Sequence, residues 1–222
     1  MELVVQDLQC RRGGRLVLDG TGFTVPGGRA AVVRGPNGAG KSTLLRALAG
    51  ILPISDGSVR LGDITLTGDR SGYQEQVAYA GHLDAVKPAL TVGQNLGIWA
   101  GIHGAKSGRV AEALGHFGIE HISDRPAAQC SAGQKRRLGL ARLMVLDRPL
   151  WLLDEPTVSL DTASSELVSD LVRRHCAGGG IALVATHIDL GLSDAEVIEV
   201  TPVQPRRIES SDDADFLAGD WT

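Results

Sequence analysis

Eight consecutive residues, 35–42, have the composition of a loop that surrounds a chain of phosphates. They read Gly-Pro-Asn-Gly-Ala-Gly-Lys-Ser, and glycine backbone lets N–H groups converge closely on one small anionic volume. In such a loop Lys41 would reach the β- and γ-phosphates, and the Ser42 hydroxyl would take one position on Mg²⁺. The residues predicted to hold a nucleoside triphosphate here are Gly35, Pro36, Asn37, Gly38, Ala39, Gly40, Lys41, Ser42 and Thr43.

Elements typical of such a loop lie on both sides of it. Residues 30–33, Ala-Ala-Val-Val, form an apolar run that predicts a buried strand before the loop. Residues 42–49 have a helical pattern that Gly50 closes. The N-terminus of that helix would add its dipole to the anion site. A chance glycine-rich turn would not need this strand and helix.

A second chemical signal lies at residues 150–155, Leu-Trp-Leu-Leu-Asp-Glu, an apolar run that ends in two carboxylates. In a phosphate-loop protein the first acid belongs at the carboxyl end of a neighbouring strand, where it orders Mg²⁺ directly or through water. This assigns Asp154 to the metal and Glu155 to the orientation or deprotonation of the attacking water. The alternative, without the loop, is a solvated strand end.

The third signal is His187, which follows the apolar run 181–185 and Thr186. A lone histidine is more often structural than catalytic. At the carboxyl end of a core strand beside a triphosphate, however, its imidazole can hydrogen-bond the γ-phosphate. We therefore group His187 with Lys41 and Glu155 as the predicted catalytic residues.

Length and composition limit the elements that can position these groups. The 222 residues suit one domain with a sizeable core, and 43% hydrophobic with 22% charged residues is ordinary for a globular chain. The net charge of −4 gives no reason to expect nucleic acid as a partner. No run approaches the roughly 18 apolar residues of a membrane span, and no signal peptide is expected. Three scattered cysteines suit a reducing compartment.

The hydrophobic pattern changes along the chain. Residues 2–33 alternate short apolar runs with glycine pairs, which predicts an antiparallel β-rich start, and short strands are expected to continue through 57–66 and 77–80. Residues 90–146 are mainly helical in pattern, with Thr91 as an N-cap. Runs at 150–153 and 181–185 predict buried strands. The helix between them carries Leu167, Val168, Leu171 and Val172 on one face, an order that indicates a parallel sheet.

Residues 130–134, Cys-Ser-Ala-Gly-Gln, precede another helical run. Ser131 and Gln134 have the spacing of a capping box, which predicts a helix N-terminus. This segment resembles the signature sequence of ABC ATPases. The order of motifs is also similar to that family: phosphate loop, signature, the strand ending at Glu155, a Ser-Leu-Asp D-loop at 159–161, and His187. The resemblance covers roughly residues 1–200.

The resemblance implies a fold class and a division of the chain. The fold is an α/β phosphate-loop NTPase core with a mixed or parallel sheet, an antiparallel β subdomain at the N-terminus and an inserted helical subdomain that carries the signature. We expect a single ATP-binding domain over 1–222, with a core at 1–82 and 147–200 and a helical subdomain at about 83–146. The last stretch, about 202–222, is acidic and predicts a loosely held tail.

The resemblance also implies an ATPase built from two copies of the chain. In that family the signature of one subunit, here Ser131, Ala132, Gly133 and Gln134, faces the γ-phosphate held by the other subunit. ATP would close a head-to-tail pair of two-fold symmetry, and hydrolysis would reopen it. Asp161 would couple the two sites, and residues 82–98 resemble the surface that contacts a membrane partner.

Three positions depart from the family pattern. His82 stands where a glutamine usually contacts Mg²⁺ or its water, and a ring nitrogen could replace the amide; the alternative is a simple loop residue. Arg12 stands near the position of an adenine-stacking aromatic, where a guanidinium plane could stack instead; the alternative is a solvated arginine. Cys130 replaces a leucine at a packing position.

Variants within these motifs indicate one subfamily of ABC ATPases. The Gly-His pair at 81–82, Ser-Ala-Gly-Gln followed by Lys-Arg-Arg, and Pro-Leu-Trp-Leu-Leu-Asp-Glu-Pro at 149–156 look like the cytochrome c biogenesis ATP-binding subunits. That family implies integral membrane partners such as CcmB and CcmC, a function in haem export, and a peripheral position on the cytoplasmic face of a bacterial inner membrane. The alternatives are an ABC subunit for a drug, peptide or lipid, and a soluble ABC protein. The histidines His103, His116, His121 and His175 are expected at the surface.

Overall fold

The computed structural model describes residues 1–192 and 194–203 and contains two sheets of opposite character. The antiparallel sheet has the order β2-β1-β4-β5 and consists of β1 (Glu2–Arg12), β2 (Arg15–Pro26), β4 (Asp56–Leu61) and β5 (Ile64–Thr65). The parallel sheet has the order β6-β7-β8-β3-β9 and consists of β3 (Ala30–Arg34), β6 (Val77–Ala80), β7 (Leu150–Asp154), β8 (Ile181–Ala185) and β9 (Glu196–Glu199). The predicted fold class is confirmed.

Six α-helices connect and cover these strands in the described part of the chain. They are α1 (Lys41–Leu48), α2 (Arg70–Gln74), α3 (Val92–His103), α4 (Arg109–His116), α5 (Ala132–Leu146) and α6 (Thr162–Ala177). Two single 3-10 turns, Glu120–Ile122 and Ala127–Gln129, lie between α4 and α5. Helices α3, α4 and α5 pack against one another, as the helical pattern of residues 90–146 predicts. Among the described residues, no helix is long and apolar enough to cross a membrane.

The predicted strands are present, and one further strand was missed. The apolar runs at 16–18 and 23–25 both lie in the long strand β2, whose pairing with β1 has register shifts at which a strand can bend. Strand β9 was not predicted. Its sequence is Glu-Val-Ile-Glu, and it forms an edge of the parallel sheet, where only Ile198 is buried. An edge strand gives a weaker apolar signal than a central one.

The parallel sheet divides the hydrophobic core into two clusters. Alternate residues of β7 point to opposite faces: Leu150 and Leu152 join the cluster that contains α1 and the antiparallel sheet, whereas Trp151 and Leu153 join the cluster that contains α5 and α6. All five residues of β7 are buried. The central strands are therefore fixed from both sides, which gives a rigid edge from which functional side chains can project.

Two helix starts have the local chemistry that their sequences predict. Thr91 and Ser131 each form a complete capping box, with Gln94 and Gln134 respectively. In each case the side-chain oxygen accepts from a backbone N–H, and the glutamine side chain accepts from the N-cap backbone. Both predicted N-caps are confirmed.

The expectation that four histidines lie at the surface is half wrong. His103 and His121 are exposed. His116 is half-buried, with Nε2 3.2 Å from the Leu167 carbonyl oxygen. His175 is also half-buried and stacks on Trp151, with ring centroids 3.8 Å apart. Each lies on a helix that packs against the core, and the neighbouring residues on that side bury part of its imidazole ring. Residues 204–222, most of the predicted acidic tail, lie outside the described residues.

Candidate nucleotide-binding and catalytic site

The carboxyl ends of three neighbouring parallel strands bring the predicted groups to one edge of the sheet. In the register, Val33 of β3 pairs with Ala185 of β8, and Ala185 also pairs with Asp154 of β7. The phosphate loop follows β3, Glu155 follows β7, and His187 follows β8 by two residues. Ligands of open α/β sheets bind outside these carboxyl ends. The topology alone therefore gathers residues that are up to about 150 positions apart in the sequence.

The phosphate loop needs glycine at two of its turns. Gly35 has φ 146°, and a Cβ there would overlap the Val200 carbonyl oxygen. Gly40 has φ 111°, and a Cβ there would approach the side chains of Val17 and Leu18 at 3.0–3.2 Å. Side chains rarely adopt such φ values, and both positions are also crowded. The loop conformation is thus fixed by backbone geometry and by close contact with β2 and the segment after β9.

Helix α1 starts inside this loop, and its N-terminus is left open. Its N-cap, Gly40, provides no side-chain cap, in contrast to Thr91 and Ser131. The N–H groups of its first turn therefore have no side-chain acceptor, and they face the end of the loop where an anion would be stabilised. Lys41, buried at 8% exposure, donates from Nζ to the carbonyl oxygens of Gly35 (2.8 Å) and Pro36 (3.3 Å). Its ammonium thus lies across the loop.

Ser42 and Asp154, 112 residues apart, are in direct contact. The Ser42 hydroxyl donates to Asp154 Oδ1 at 2.9 Å, and Asp154 is only 3% exposed. The other carboxylate oxygen, Oδ2, accepts from the Tyr79 hydroxyl at 3.3 Å, which in turn accepts from Arg46 Nε at 3.3 Å. Burial is the main cause that raises the pKa of Tyr79, so it remains a neutral phenol that can donate to the carboxylate.

Glu155 and His187 form a second pair beside the first. Glu155 Oε1 lies 3.5 Å from His187 Nε2, and the two side chains are 25% and 52% exposed. Glu155 has φ 48°, an uncommon value for a residue with a side chain, and its N–H donates to the Ala185 carbonyl at 2.8 Å. The buried hydroxyl of Thr186 accepts from the N–H of Ile188 at 3.1 Å, which forms the turn that presents His187.

Two predicted ligands lie at the margin of this cluster. His82 is exposed and follows β6, whose last residue Ala80 pairs with Leu153 of β7. This puts His82 at the same edge as Asp154, and it makes no side-chain hydrogen bond to another described residue. Arg12 is exposed at the end of β1, where it pairs with Arg15 across the hairpin. The following strand β2 reaches the phosphate loop at Val17.

The signature residues stand at the start of α5, outside the cluster formed by Ser42, Asp154, Glu155 and His187. Ser131 and Ala132 are exposed, and Gly133 and Gln134 are partly buried. A Cβ on Gly133 would lie 3.1 Å from the Ser159 carbonyl oxygen. Asp161 caps α6 by accepting from the N–H of Ser164 at 2.8 Å. Hydrogen bonds from Ser164 are the main cause that lowers the pKa of Asp161.

Several residues that shape the site were missed from the sequence. Tyr79 and Arg46 extend the hydrogen-bonded chain from Asp154. Arg136 of α5 lies buried behind the turn that carries Glu155, and Arg142, also buried, donates to the carbonyl oxygens of Asp84 and Tyr79. An arginine within a mainly apolar helix is a signal in itself, because charged residues are buried only when they are paired. The sequence contained that signal in the Lys-Arg-Arg run, but not the partners.

The donor set fits a nucleoside triphosphate with Mg²⁺. Glycines that would clash as alanines leave a narrow backbone cradle, and the uncapped start of α1 and the Lys41 ammonium favour negative charge. Ser42 and Asp154 contribute oxygen atoms only, which Mg²⁺ prefers. The ring nitrogen of His82 is a less suitable ligand for so hard a cation. The described residues thus fit the nucleotide and the metal through Lys41, Ser42 and Asp154.

The family model for ABC transporters matches residues 18–158. Among curated proteins, the chain is 50% identical over 218 residues to the cytochrome c biogenesis ATP-binding export protein CcmA of Ruegeria pomeroyi, covering 98% of this chain and 100% of that protein. It is also 50% identical over 216 residues to the protein of the same name from Cereibacter sphaeroides, covering 96% and 97%.

Solved structures support the fold. An ATP-binding subunit of an ABC transporter superposes with a TM-score of 0.81 at 24% identity, covering 90% of this chain and 86% of that one. A dimeric ATP-binding cassette in a post-hydrolysis state with ADP and phosphate superposes with a TM-score of 0.79 at 23% identity, covering 90% and 94%. At this identity the likeness shows a shared fold.

Proposed function

The chain belongs to the ABC transporter family and, within it, to the cytochrome c biogenesis ATP-binding export proteins CcmA, and we propose how its residues bind and hydrolyse ATP. It is the ATP-hydrolysing subunit of a membrane ABC complex of cytochrome c biogenesis. The single observation that carries the function is 50% identity over 98% of the chain. The contact between Ser42 and Asp154 is what supports the assignment of the site.

We propose that the phosphate loop, Lys41 and Thr43 bind the triphosphate of ATP and that Ser42 and Asp154 hold Mg²⁺. The buried ammonium of Lys41 would exchange its two carbonyl acceptors for phosphate oxygens. Held by these two residues, Mg²⁺ would supply positive charge that offsets the negative charge of the triphosphate. His82 would contact Mg²⁺ or its water through a ring nitrogen, and Arg12 would stack on adenine. Both are exposed and lie beside the site, so they can reach a ligand without rearrangement of the core.

We propose that Glu155 is the group that orients and deprotonates the attacking water. Its carboxylate projects from the same edge as Asp154, and His187 lies 3.5 Å from it. His187 then hydrogen-bonds the γ-phosphate and keeps the Glu155 carboxylate in line with it. A general base is worth roughly 10²- to 10⁴-fold in rate, so the loss of Glu155 separates hydrolysis from binding.

We propose that ATP joins two copies of the chain head to tail. The signature Ser131, Ala132, Gly133 and Gln134 would complete the site of the partner copy, and Asp161 would couple the two sites. The exposed position of Ser131 outside its own cluster supports a role in trans. We further propose that helices α3 to α5, within residues 83–146, move as a subdomain against a core formed by 1–82 and 147–200.

We propose that integral membrane subunits such as CcmB and CcmC dock on residues 82–98. This surface carries exposed apolar side chains, Leu83 at 82% and Ile98 at 38% exposure, and Ile102 beyond it at 68%. The chain would then lie peripherally on the cytoplasmic face of a bacterial inner membrane, and its work would serve haem export. No nucleic acid is expected as a partner, given a net charge of −4.

Two measurements test this proposal. Glu155→Gln should retain ATP binding and accumulate as an ATP-dependent dimer, with turnover reduced at least about 100-fold. Unchanged turnover would remove Glu155 from its role. Affinity isolation of the tagged chain from detergent-solubilised membranes should recover haem-handling membrane subunits. Recovery of a drug, lipid or peptide permease instead, or of no membrane protein, would overturn the proposed partners.

A further inference from the structure

Arg136 is a buried cation behind the turn that carries Glu155, and it is only 4% exposed. It lies in the second turn of α5, five residues after Ser131. Its guanidinium donates from Nε to Pro156 O (3.0 Å), from Nη1 to Gly81 O (2.8 Å) and Asp84 Oδ1 (2.9 Å), and from Nη2 to Asp154 O (3.2 Å) and Glu155 O (2.7 Å).

This set of acceptors matches the guanidinium one for one. An arginine has five N–H donors in a fixed planar fork, and each has an acceptor here. A lysine carries three donors on a single atom, and a glutamine carries two, so neither can reach five acceptors spread around the edge of a planar group. A cation buried to this degree needs full pairing, and Arg136 has it through one carboxylate and four carbonyl oxygens.

Three of the acceptors are consecutive carbonyls, those of Asp154, Glu155 and Pro156. They belong to the turn in which Glu155 has φ 48°, a conformation that surrounding contacts must hold in place. The backbone sets the direction of the Cα–Cβ bond, so holding these carbonyls also sets the direction in which the Glu155 side chain leaves the turn. All contacts of Arg136 with this turn are to backbone carbonyls, and none of its hydrogen bonds goes to the Glu155 carboxylate.

The remaining acceptors lie in the loop after β6, which is packed on the same face of α5. Arg136, Gly139 and Arg142 follow at intervals of three, and a Cβ on Gly139 would lie 2.9 Å from Asp84. Arg142 donates to the Asp84 carbonyl at 3.3 Å and, on the other side, to the carbonyl of Tyr79 at 2.8 Å. One face of α5 thus holds the loop at three points.

We propose that Arg136 is a positioning residue for Glu155, an inference that rests on the proposed role of Glu155. Because the guanidinium of Arg136 joins α5, the loop at 81–84 and the Glu155 turn, the orientation of the Glu155 carboxylate depends on where α5 and that loop lie within the same chain. Helix α5 begins at the signature, and the loop at 81–84 leads into the proposed membrane-contacting surface, residues 82–98. The alignment of Glu155, and with it the rate of hydrolysis, then depends on the positions of both elements, in addition to any contact made by a second copy.

The variant that tests this is Arg136→Lys, which keeps the charge but loses the fork. We expect kcat for ATP to fall about 10- to 100-fold, because a carboxylate displaced by an ångström or less loses its alignment. The affinity for ATP measured without Mg²⁺ should change less than about 3-fold, because none of the five acceptors of Arg136 lies in the phosphate loop. Arg137→Lys is the matched control, since Arg137 donates to the Phe117 carbonyl on another side of α5, and its kcat should be unchanged.

A double-mutant cycle separates positioning from general support of the fold. In the Glu155→Gln background, where the carboxylate is gone, Arg136→Lys should lower the residual single-turnover rate less than 2-fold. An equal loss in both backgrounds, or a loss of ATP affinity as large as that of kcat, overturns the inference. If Glu155→Gln alone keeps full turnover, the proposed role of Glu155 fails and the inference fails with it.

A second variant keeps the test valid if Arg136→Lys does not fold. Asp84→Asn preserves the shape and one oxygen acceptor but removes the charge that pairs with Nη1. It should lower kcat by about 2- to 5-fold with unchanged ATP affinity, and this effect should also vanish in the Glu155→Gln background. Unchanged kcat in a folded Asp84→Asn chain, with Arg136→Lys unfolded, counts against the inference.

Discussion

The two halves of the candidate site are held in place by different means. The phosphate loop takes its shape from glycine backbone pressed against its surroundings, as at Gly35 and Gly40. The hydrolytic half takes its shape from side chains of distant elements: Arg136 behind Glu155, and Tyr79 beside Asp154. The phosphate loop should therefore lose its shape when a side-chain atom is added to a glycine, whereas the hydrolytic half should lose its shape when a hydrogen-bond donor is removed.

This difference also separates what each half has to do. A polyphosphate cradle performs the same task in every state, so a rigid backbone that no side chain can alter is suitable. If Glu155 activates water as proposed, it needs to be competent only when the site is closed, and anchors on α5, which is proposed to move with the helical subdomain, would make its alignment depend on that closure.

The largest effect is expected from Gly35→Ala. The added Cβ would overlap the Val200 carbonyl, and the φ of 146° would be strained for alanine. We expect the free energy of unfolding to fall by about 3 kcal/mol and ATP affinity to fall about 100-fold. Urea unfolding and a titration with a fluorescent ATP analogue measure the two.

Gly38→Ala is the control within the same loop. Gly38 has φ 83°, but nothing lies within 4 Å of the position of its Cβ. Only the backbone strain remains, which costs about 1–2 kcal/mol. Equal stability losses in the two variants would show that crowding against Val200 does not shape the loop.

The second prediction compares two capping boxes that have the same local chemistry. Ser131→Ala and Thr91→Ala each remove one N-cap hydroxyl, so each should lower the free energy of unfolding by about 1 kcal/mol. Only Ser131→Ala should weaken the ATP-dependent dimer, by roughly 10-fold, because Ser131 is proposed to contact the partner's phosphate. Sedimentation of both variants in the Glu155→Gln background gives the dimer constants. Matching dimer constants would assign Ser131 to helix capping alone.

The third prediction removes one donor from the hydrolytic half. Tyr79→Phe deletes the hydroxyl that donates to Asp154 Oδ2. A hydrogen bond to a buried carboxylate is worth about 1 kcal/mol or somewhat more, so the Mg²⁺ concentration for half-maximal turnover should rise about 3- to 10-fold. ATP binding without Mg²⁺ should be unaffected, as equilibrium dialysis in EDTA can measure.

A second tyrosine provides the control for that substitution. Tyr73 is fully buried, and its hydroxyl has no partner among the described residues. Tyr73→Phe therefore removes an unsatisfied polar group, and the free energy of unfolding should rise or remain unchanged. If Tyr73→Phe also raises the Mg²⁺ requirement, the effect of Tyr79→Phe does not come from its bond to Asp154.

The same contrast explains how much could be predicted from the sequence. The loop at 35–42 and the capping box at Ser131 depend on neighbours a few positions away, so their residue types and spacing are sufficient. The strand ending at Asp154 is equally visible as an apolar run. By contrast, Arg136 donates a hydrogen bond to Gly81, 55 positions away in the sequence, and Tyr79 donates one to Asp154, 75 positions away. Such pairs depend on how α5 and β6 pack, which no local pattern contains.

The smallest effect is expected at the opposite edge of the parallel sheet. His175 stacks on Trp151, and its Nε2 lies 3.2 Å from the carbonyl oxygens of both Pro149 and Ile181. Burial is the main cause that lowers the pKa of His175, and it outweighs the opposite effect of the two carbonyls and Asp147.

Because the folded pKa of His175 is depressed, the unfolded chain binds more protons as pH falls below about 6.5, the ordinary histidine value. His175 therefore contributes stability that is present above about pH 6.5 and is lost as pH falls through its folded pKa. His175→Phe should keep the stack on Trp151 and flatten the dependence of unfolding free energy on pH below about 6.5. His121→Phe, at an exposed position, is the control. An unchanged slope in His175→Phe would mean that acid sensitivity arises elsewhere, and a changed ATP affinity would mean that the carboxyl-edge site depends on the opposite edge of the sheet.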